Sequence, residues 1–110
     1  MTEPLGVLVL SAVRHAGSYL PDLLAMPDVA VRGIVEETHA PDWAHADAER
    51  LGKQYDVPVT SDVDDQLSRD DIDMVLVCAE PTRHARLAIA ALGAPAEEEQ
   101  VVGASGVRRQ

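Results

Sequence analysis

Leu5-Gly6-Val7-Leu8-Val9-Leu10 is an unbroken apolar run near the start of the chain. Six such residues with no polar alternation suit a strand covered on both faces, the kind found inside a parallel sheet. The small and polar stretch 11–18 follows. Tyr19, Leu20, Leu23 and Leu24 then recur at helical spacing until Met26-Pro27 stops them, with Pro21 in the first turn or two. Val29–Glu36 reads as a second strand that closes on two acids, Glu36 and Glu37. Pro41-Asp42 marks a helix start with Asp42 as its N-cap, and residues 43–55 carry Ala44, Ala48, Leu51 and Tyr55 on one stripe. Val57–Thr60 is a short third strand, and Pro58 puts it near a strand start or a sheet edge. Asp62 caps a short helix to Leu67, Ile72–Ala79 is a fourth strand, and Arg83–Leu92 is a final helix with Leu87, Ile89, Ala90 and Ala91.

Strands alternating with helices argue an α/β fold, a doubly wound parallel sheet of about four strands. Right-handed crossovers place helices on both faces, and ligands of such sheets lie outside the carboxyl ends of the strands. The loops to watch are therefore 11–18, 36–42, 60–62 and 79–84. From Gly93 the character changes to small residues, an acid run and a basic end. Residues 1–94 are thus expected to form the domain, incomplete because the next strand is missing, and 95–110 an irregular tail. That leaves apolar surface near Val75 and Val77 uncovered and the fourth strand's edge open to self-association.

Composition narrows the function. The 110 residues hold 9 Lys plus Arg against 19 Asp plus Glu, a net charge of −10. Such a surface repels phosphate backbones and anionic headgroups, which argues against nucleic acid and membrane as partners. Hydrophobic residues make up 46% of the chain, too many for an acidic disordered tail, and with no Phe the core is built from Leu, Val, Ile and Ala. One cysteine, Cys78, excludes an internal disulfide framework and a Cys-based zinc cluster. Inside an apolar strand it reads as a packed small hydrophobe. His15, His39, His45 and His84 are scattered without paired metal-ligand spacing, so no metal is expected. No apolar run approaches the roughly 20 residues of a membrane span, and the start lacks a signal peptide's basic region, so a cytoplasmic chain is expected.

Three places carry candidate chemistry. The first βα turn, Ser11-Ala12-Val13-Arg14-His15-Ala16-Gly17, stands where a dinucleotide fold has G-x-G-x-x-G, but Ser11, Val13 and Ala16 replace its glycines. Helix N–H groups and Arg14 or His15 remain to meet an anion; an ordinary βα turn fits the same residues. Glu36 lies where such folds place the acid that binds the ribose hydroxyls; an acid there disfavours a 2′-phosphate, and no Lys or Arg follows in 37–42; a solvated strand-end acid is the alternative. His84, with Glu80, Pro81 and Thr82, borders the cleft after the fourth strand; it also fits a helix-start residue without a ligand. A receiver-type signalling domain is a poor fit, because strand one ends in Leu10-Ser11-Ala12 without the acids it needs.

In this order the chain resembles the N-terminal nucleotide-binding domain of the Gfo/Idh/MocA oxidoreductases. "SYLPDLLAMPDVAVRGIVEE" (18–37) resembles that family's first helix, second strand and terminal acid. "AERLGKQYDVPVTSDVDDQL" (48–67) resembles the segment where a helix leads into "GVPVYTD". "DIDMVLVCAEPTRHARLAIAALGA" (71–94) resembles the fourth strand, the turn with a histidine, and the helix ending Ala-Leu-x-Ala-Gly. The resemblance implies a Rossmann-like fold and an NAD(P)-dependent hydride transfer on sugars, cyclitols or related polyols, with NAD favoured over NADP. It implies Ser11, Ala12, Val13, Arg14 and His15 for the pyrophosphate, Glu36 for the adenosine ribose, and Ala79, Glu80, Thr82 and His84 for the nicotinamide side.

The family continues with Gly-Lys-His-Val and a Glu-Lys-Pro motif. Here "PAEEEQVVGASGVRRQ" follows Ala94 with no lysine, so no catalytic residue is carried over. The expectation is a truncated or frameshifted front of an oxidoreductase. It would bind dinucleotide weakly without turnover and meet a small sugar-like substrate only in a full-length protein. The other hypothesis is a non-catalytic binding or self-associating module on the same scaffold, a possible homo-oligomer.

Overall fold

The computed structural model describes residues 3–13 and 16–93, and the backbone of 100–102 and 106–108. Strand β1 spans Leu5–Ala12, and its apolar run is buried from Gly6 onward, as two-sided coverage requires. It is followed by α1 (Ala16–Ala25), β2 (Val29–Val35), α2 (Asp42–Tyr55), β3 (Val59–Thr60), α3 (Val63–Leu67), β4 (Met74–Cys78) and α4 (Pro81–Gly93). The first four strands are parallel and lie in the order β3-β2-β1-β4. Expected strands and helices are all present, with shifted ends. Asp42 is the first residue of α2 rather than its cap. Pro41 stands at that cap in extended conformation and makes no side-chain bond. Asp62 does cap α3, its Oδ1 accepting from the Asp65 N–H at 3.0 Å. Pro58 precedes β3, which forms one edge of the sheet.

The helices divide between the two faces, as right-handed crossovers demand. On one face α1 and α2 bury Ala16, Leu20, Ala48 and Leu51 against Val7, Val9 and Ile34. On the other, α3 and α4 bury Leu67, Leu87 and Ala91 against Leu8, Leu10, Val35, Val75 and Val77. Ile89, two residues from both Leu87 and Ala91 and so on the other side of α4, is 66% exposed. No helix among the described residues is long and apolar enough to cross a membrane.

The segment expected to be irregular contributes two short strands, β5 (Gln100–Val102) and β6 (Gly106–Arg108). They pair antiparallel with each other, and β6 pairs antiparallel with β4, extending the sheet to six strands in the order β3-β2-β1-β4-β6-β5. The edge of β4 expected to stand open is thus paired, and Val75 and Val77 are both 0% exposed. A three-residue strand offers too little periodicity to be read against its glycine- and acid-rich surroundings.

The entry to β1 is stitched to the loop before β4. Asp73 accepts the Gly6 N–H through Oδ2 at 2.8 Å, and its own N–H donates to the Gly6 carbonyl at 2.8 Å. The Asp71 backbone comes so close that a Cβ on Gly6 would collide with its carbonyl. Beside Gly17 a Cβ would meet nothing within 4 Å. Gly6→Ala is therefore expected to cost about 1–3 kcal/mol by overpacking. Gly17→Ala should be neutral or stabilising by up to about 1 kcal/mol, since alanine favours the helix. Urea unfolding of the two variants checks the contrast, and equal midpoints would contradict it.

Candidate functional site

The carboxyl ends of β1, β2 and β4 meet around one buried guanidinium. β1 carries a bulge here: Leu10 pairs with Val77 and Ala12 with Cys78, which leaves Ser11 as the extra residue. Ser11 takes a left-handed backbone with φ 66°, a conformation that disfavours a side chain by about 1–2 kcal/mol. Its hydroxyl offsets that strain. Ser11 Oγ donates to Glu36 Oε1 at 2.8 Å and accepts from Arg83 Nη2 at 3.2 Å.

Arg83 reaches this point from the first turn of α4. Pro81 opens the helix, where its missing N–H costs nothing. The Glu80 carbonyl accepts the N–H groups of Arg83 and His84 at 3.0 and 2.9 Å. One turn along, Arg83 Nε and Nη2 donate to Glu80 Oε2 and Oε1, each at 2.8 Å. Nη1 donates to Glu36 Oε2 at 2.8 Å and to Glu37 Oε2 at 3.1 Å. Exposure is 0% for Ser11 and Glu36, 7% for Arg83 and 9% for Glu80, so water does not compete for these bonds. Arg86, 60% exposed, clamps Glu37 from outside through Nη1 at 2.9 Å and Nη2 at 2.8 Å.

Three carboxylates therefore face two guanidinium groups, which leaves one net negative charge. The Arg86 guanidinium, against the opposing effect of burial and with Arg83 adding to it, holds the Glu37 carboxyl well below its usual range, at about 2. Glu80 first, then Glu36 and Glu37, push Arg83 above its ordinary value. Burial alone pushes the Cys78 thiol up to about 12, so it is a neutral packed group rather than a nucleophile.

The structure brings Ser11, Glu36 and Glu80 of the expected site residues into one network. Glu36 is closed off inside it: Oε1 takes Ser11, and Oε2 takes Arg83 and, at 3.2 Å, the Glu37 N–H. Ala12 and Val13 are buried beside it, with the Val13 N–H on the Cys78 carbonyl at 2.9 Å. Ala79 is buried and Thr82 exposed at the start of α4. His84 is half-buried, and its Nε2 is buried without a partner among the described residues. Arg14 and His15 lie outside the described residues. A groove of about 430 Å³ opens at the carboxyl ends of β2 and β3, lined by Glu37, Thr38, His39, Ser61, Asp62 and Asp64 among others.

Sequence reading missed Arg83 and Arg86. The available signal was local: Glu80, Arg83 and Arg86 recur three apart on a helix start that the topology sets against strand-end acids.

The sequence profile of the Gfo/Idh/MocA group, described as an oxidoreductase family with an NAD-binding Rossmann fold, matches residues 14–98. No curated relative matches the chain. Among solved structures, GenD2 from gentamicin A biosynthesis, in complex with NAD, is 26% identical with a TM-score of 0.69, over 86% of this chain and 25% of that one. KijD10, a 3-ketoreductase from Actinomadura kijaniata in complex with TDP-benzene and NADP, is in its open conformation 27% identical with a TM-score of 0.66, over 84% and 28%. An NAD-binding protein from Listeria innocua shares the fold at 16% identity and a TM-score of 0.66, over 84% and 25%. The chain thus spans about a quarter of the length of these structures.

Glu37 gives the site a pH signature. Its carboxyl lies at about 2 in the folded chain against 4.5 when free, so its contribution to stability is whole above about 4.5 and is lost as pH falls toward about 2. Unfolding free energy measured from pH 6 to 2 should fall more steeply in the wild type than in Glu37→Gln. Parallel curves would contradict this.

Proposed function

The chain belongs to the Gfo/Idh/MocA family of oxidoreductases with an NAD-binding Rossmann fold, and from that premise we propose that it is the dinucleotide-binding domain of an enzyme that moves a hydride to or from a sugar, cyclitol or related polyol. The observation that carries the reading is Ser11: a residue with φ 66° stands at the first glycine position of a dinucleotide turn and supplies the sharp bend that position needs. Open space beside Gly17 leaves room next to the first turn of α1, whose N–H groups suit a diphosphate. The buried, unpartnered Nε2 of His84 also fits a bound ligand, since buried polar atoms find partners.

In this reading Ser11, Ala12, Val13, Arg14 and His15 form the turn against which the pyrophosphate lies. Ala79, Glu80, Thr82 and His84 border the nicotinamide, and His84 Nε2 bonds to a polar group there. The nicotinamide, when bound, supplies the hydride chemistry. NAD and NADP in complexes of the neighbours, and a 3-ketoreductase among them, support this cofactor and substrate class. The 110-residue chain on its own binds dinucleotide weakly and turns nothing over. A lone buried thiol, Cys78, suits a reducing compartment, and we place the protein in the cytoplasm.

Calorimetric titration with NADH tests the reading. Saturable binding with Kd on the order of 100 µM, about −5.5 kcal/mol, is expected. A folded chain that shows no saturation at several times that concentration would contradict it.

A further inference from the structure

Resting on the dinucleotide reading, we propose that the adenosine ribose is read by Glu37 and Arg86 rather than by Glu36. Glu36 is the acid that position in the sequence selects, yet it is fully buried and both of its oxygens are taken. To reach a ribose it would have to give up a buried ion pair at 2.8 Å with Arg83 and the Ser11 hydroxyl at 2.8 Å, a costly exchange. Glu37 is placed differently: both of its oxygens also accept, from Arg83 and Arg86, but Oε1 is held by the exposed Arg86 alone. Glu37 lines the groove at the carboxyl ends of β2 and β3, and its side chain is 16% exposed. It is ionised throughout the working pH range, so it accepts hydroxyl donors.

Arg86 adds the second half of the reader. It spends one N–H of each terminal nitrogen on Glu37, and no other hydrogen bond of Arg86 is seen among the described residues. At 60% exposure its remaining donors face solvent at the rim of the site. A ribose with free 2′- and 3′-hydroxyls donates to Glu37. A 2′-phosphate is repelled by Glu37 and attracted by Arg86, which presents the fork that phosphate oxygens favour. No Lys or Arg follows Glu36 within residues 37–42, but the fold brings Arg86 to Glu37 from 49 positions along the chain. Glu37 therefore favours NAD, and Arg86 sets how strongly NADP is refused.

The test is the ratio of Kd for NADPH to Kd for NADH, measured by calorimetry on the full chain. NADH should bind more tightly to the wild type. Arg86→Ala should raise the ratio by about tenfold, and Glu37→Gln should lower it by about tenfold, the scale of one charge-assisted hydrogen bond. Glu37→Asp, which keeps the charge and shortens the reach, should lower it as well and guards against a fold defect in the glutamine variant. If both nucleotides bind and neither Arg86→Ala nor the Glu37 variants move the ratio, the assignment to this pair is overturned. If the folded wild type binds neither nucleotide, the dinucleotide reading itself falls, and the assignment with it.

Discussion

A guanidinium group has five N–H donors in one plane, and Arg83 uses all of them inside the protein, on Glu80, Glu36, Glu37 and Ser11. Those four partners sit at the carboxyl ends of β1, β2 and β4 and at the mouth of α4. One side chain thus ties together the points where a doubly wound sheet opens its ligand edge. The network is not an obvious gain in stability, because burying ions costs about what their attraction returns. Its effect is geometric. It fixes the bulge at Ser11, holds a left-handed backbone without glycine, and gives Glu36 a partner that no ligand can easily displace.

The same network accounts for the division between the two neighbouring acids. Glu36 turns inward to Ser11 and Arg83, while Glu37 shares Arg83 at 3.1 Å but turns its other contacts toward Arg86 and the groove. A single residue step along the chain end of β2 separates a structural carboxylate from one that faces a ligand-sized space. In a chain with net charge −10, three acids at one edge look like ordinary surface charge. Two arginines on one helix turn them into a nearly neutral, ordered site.

How much of this was legible beforehand follows from the range of each interaction. The strands and helices were, because Leu5–Leu10, Val29–Val35 and Met74–Cys78 announce buried strands and the stripe at Ala44, Ala48 and Leu51 announces a covered helix. The Asp62 cap was legible for the same local reason. Asp42 was not, since Pro41 fills the cap position with backbone geometry alone. β5 and β6 were hidden because three residues carry no period and their pairing with β4 is set at a distance. Glu80 apart, the partners of Arg83 and Arg86 lie 46 to 72 positions away, so the spacing of the two arginines alone did not mark them. Position marked Glu36 as the ribose acid; only the packing around it shows that its carboxylate is occupied.

The central claim is that Glu36 belongs to Arg83 and Glu37 to the ligand. Carbon-13 NMR of the assigned glutamate side-chain carboxylates, recorded with and without saturating NADH, tests it most directly. The account predicts that the Glu37 carboxylate signal shifts with nucleotide while that of Glu36 stays in place. A shift at Glu36 with Glu37 unmoved would contradict it, and would mean that the nucleotide opens the Arg83 pair.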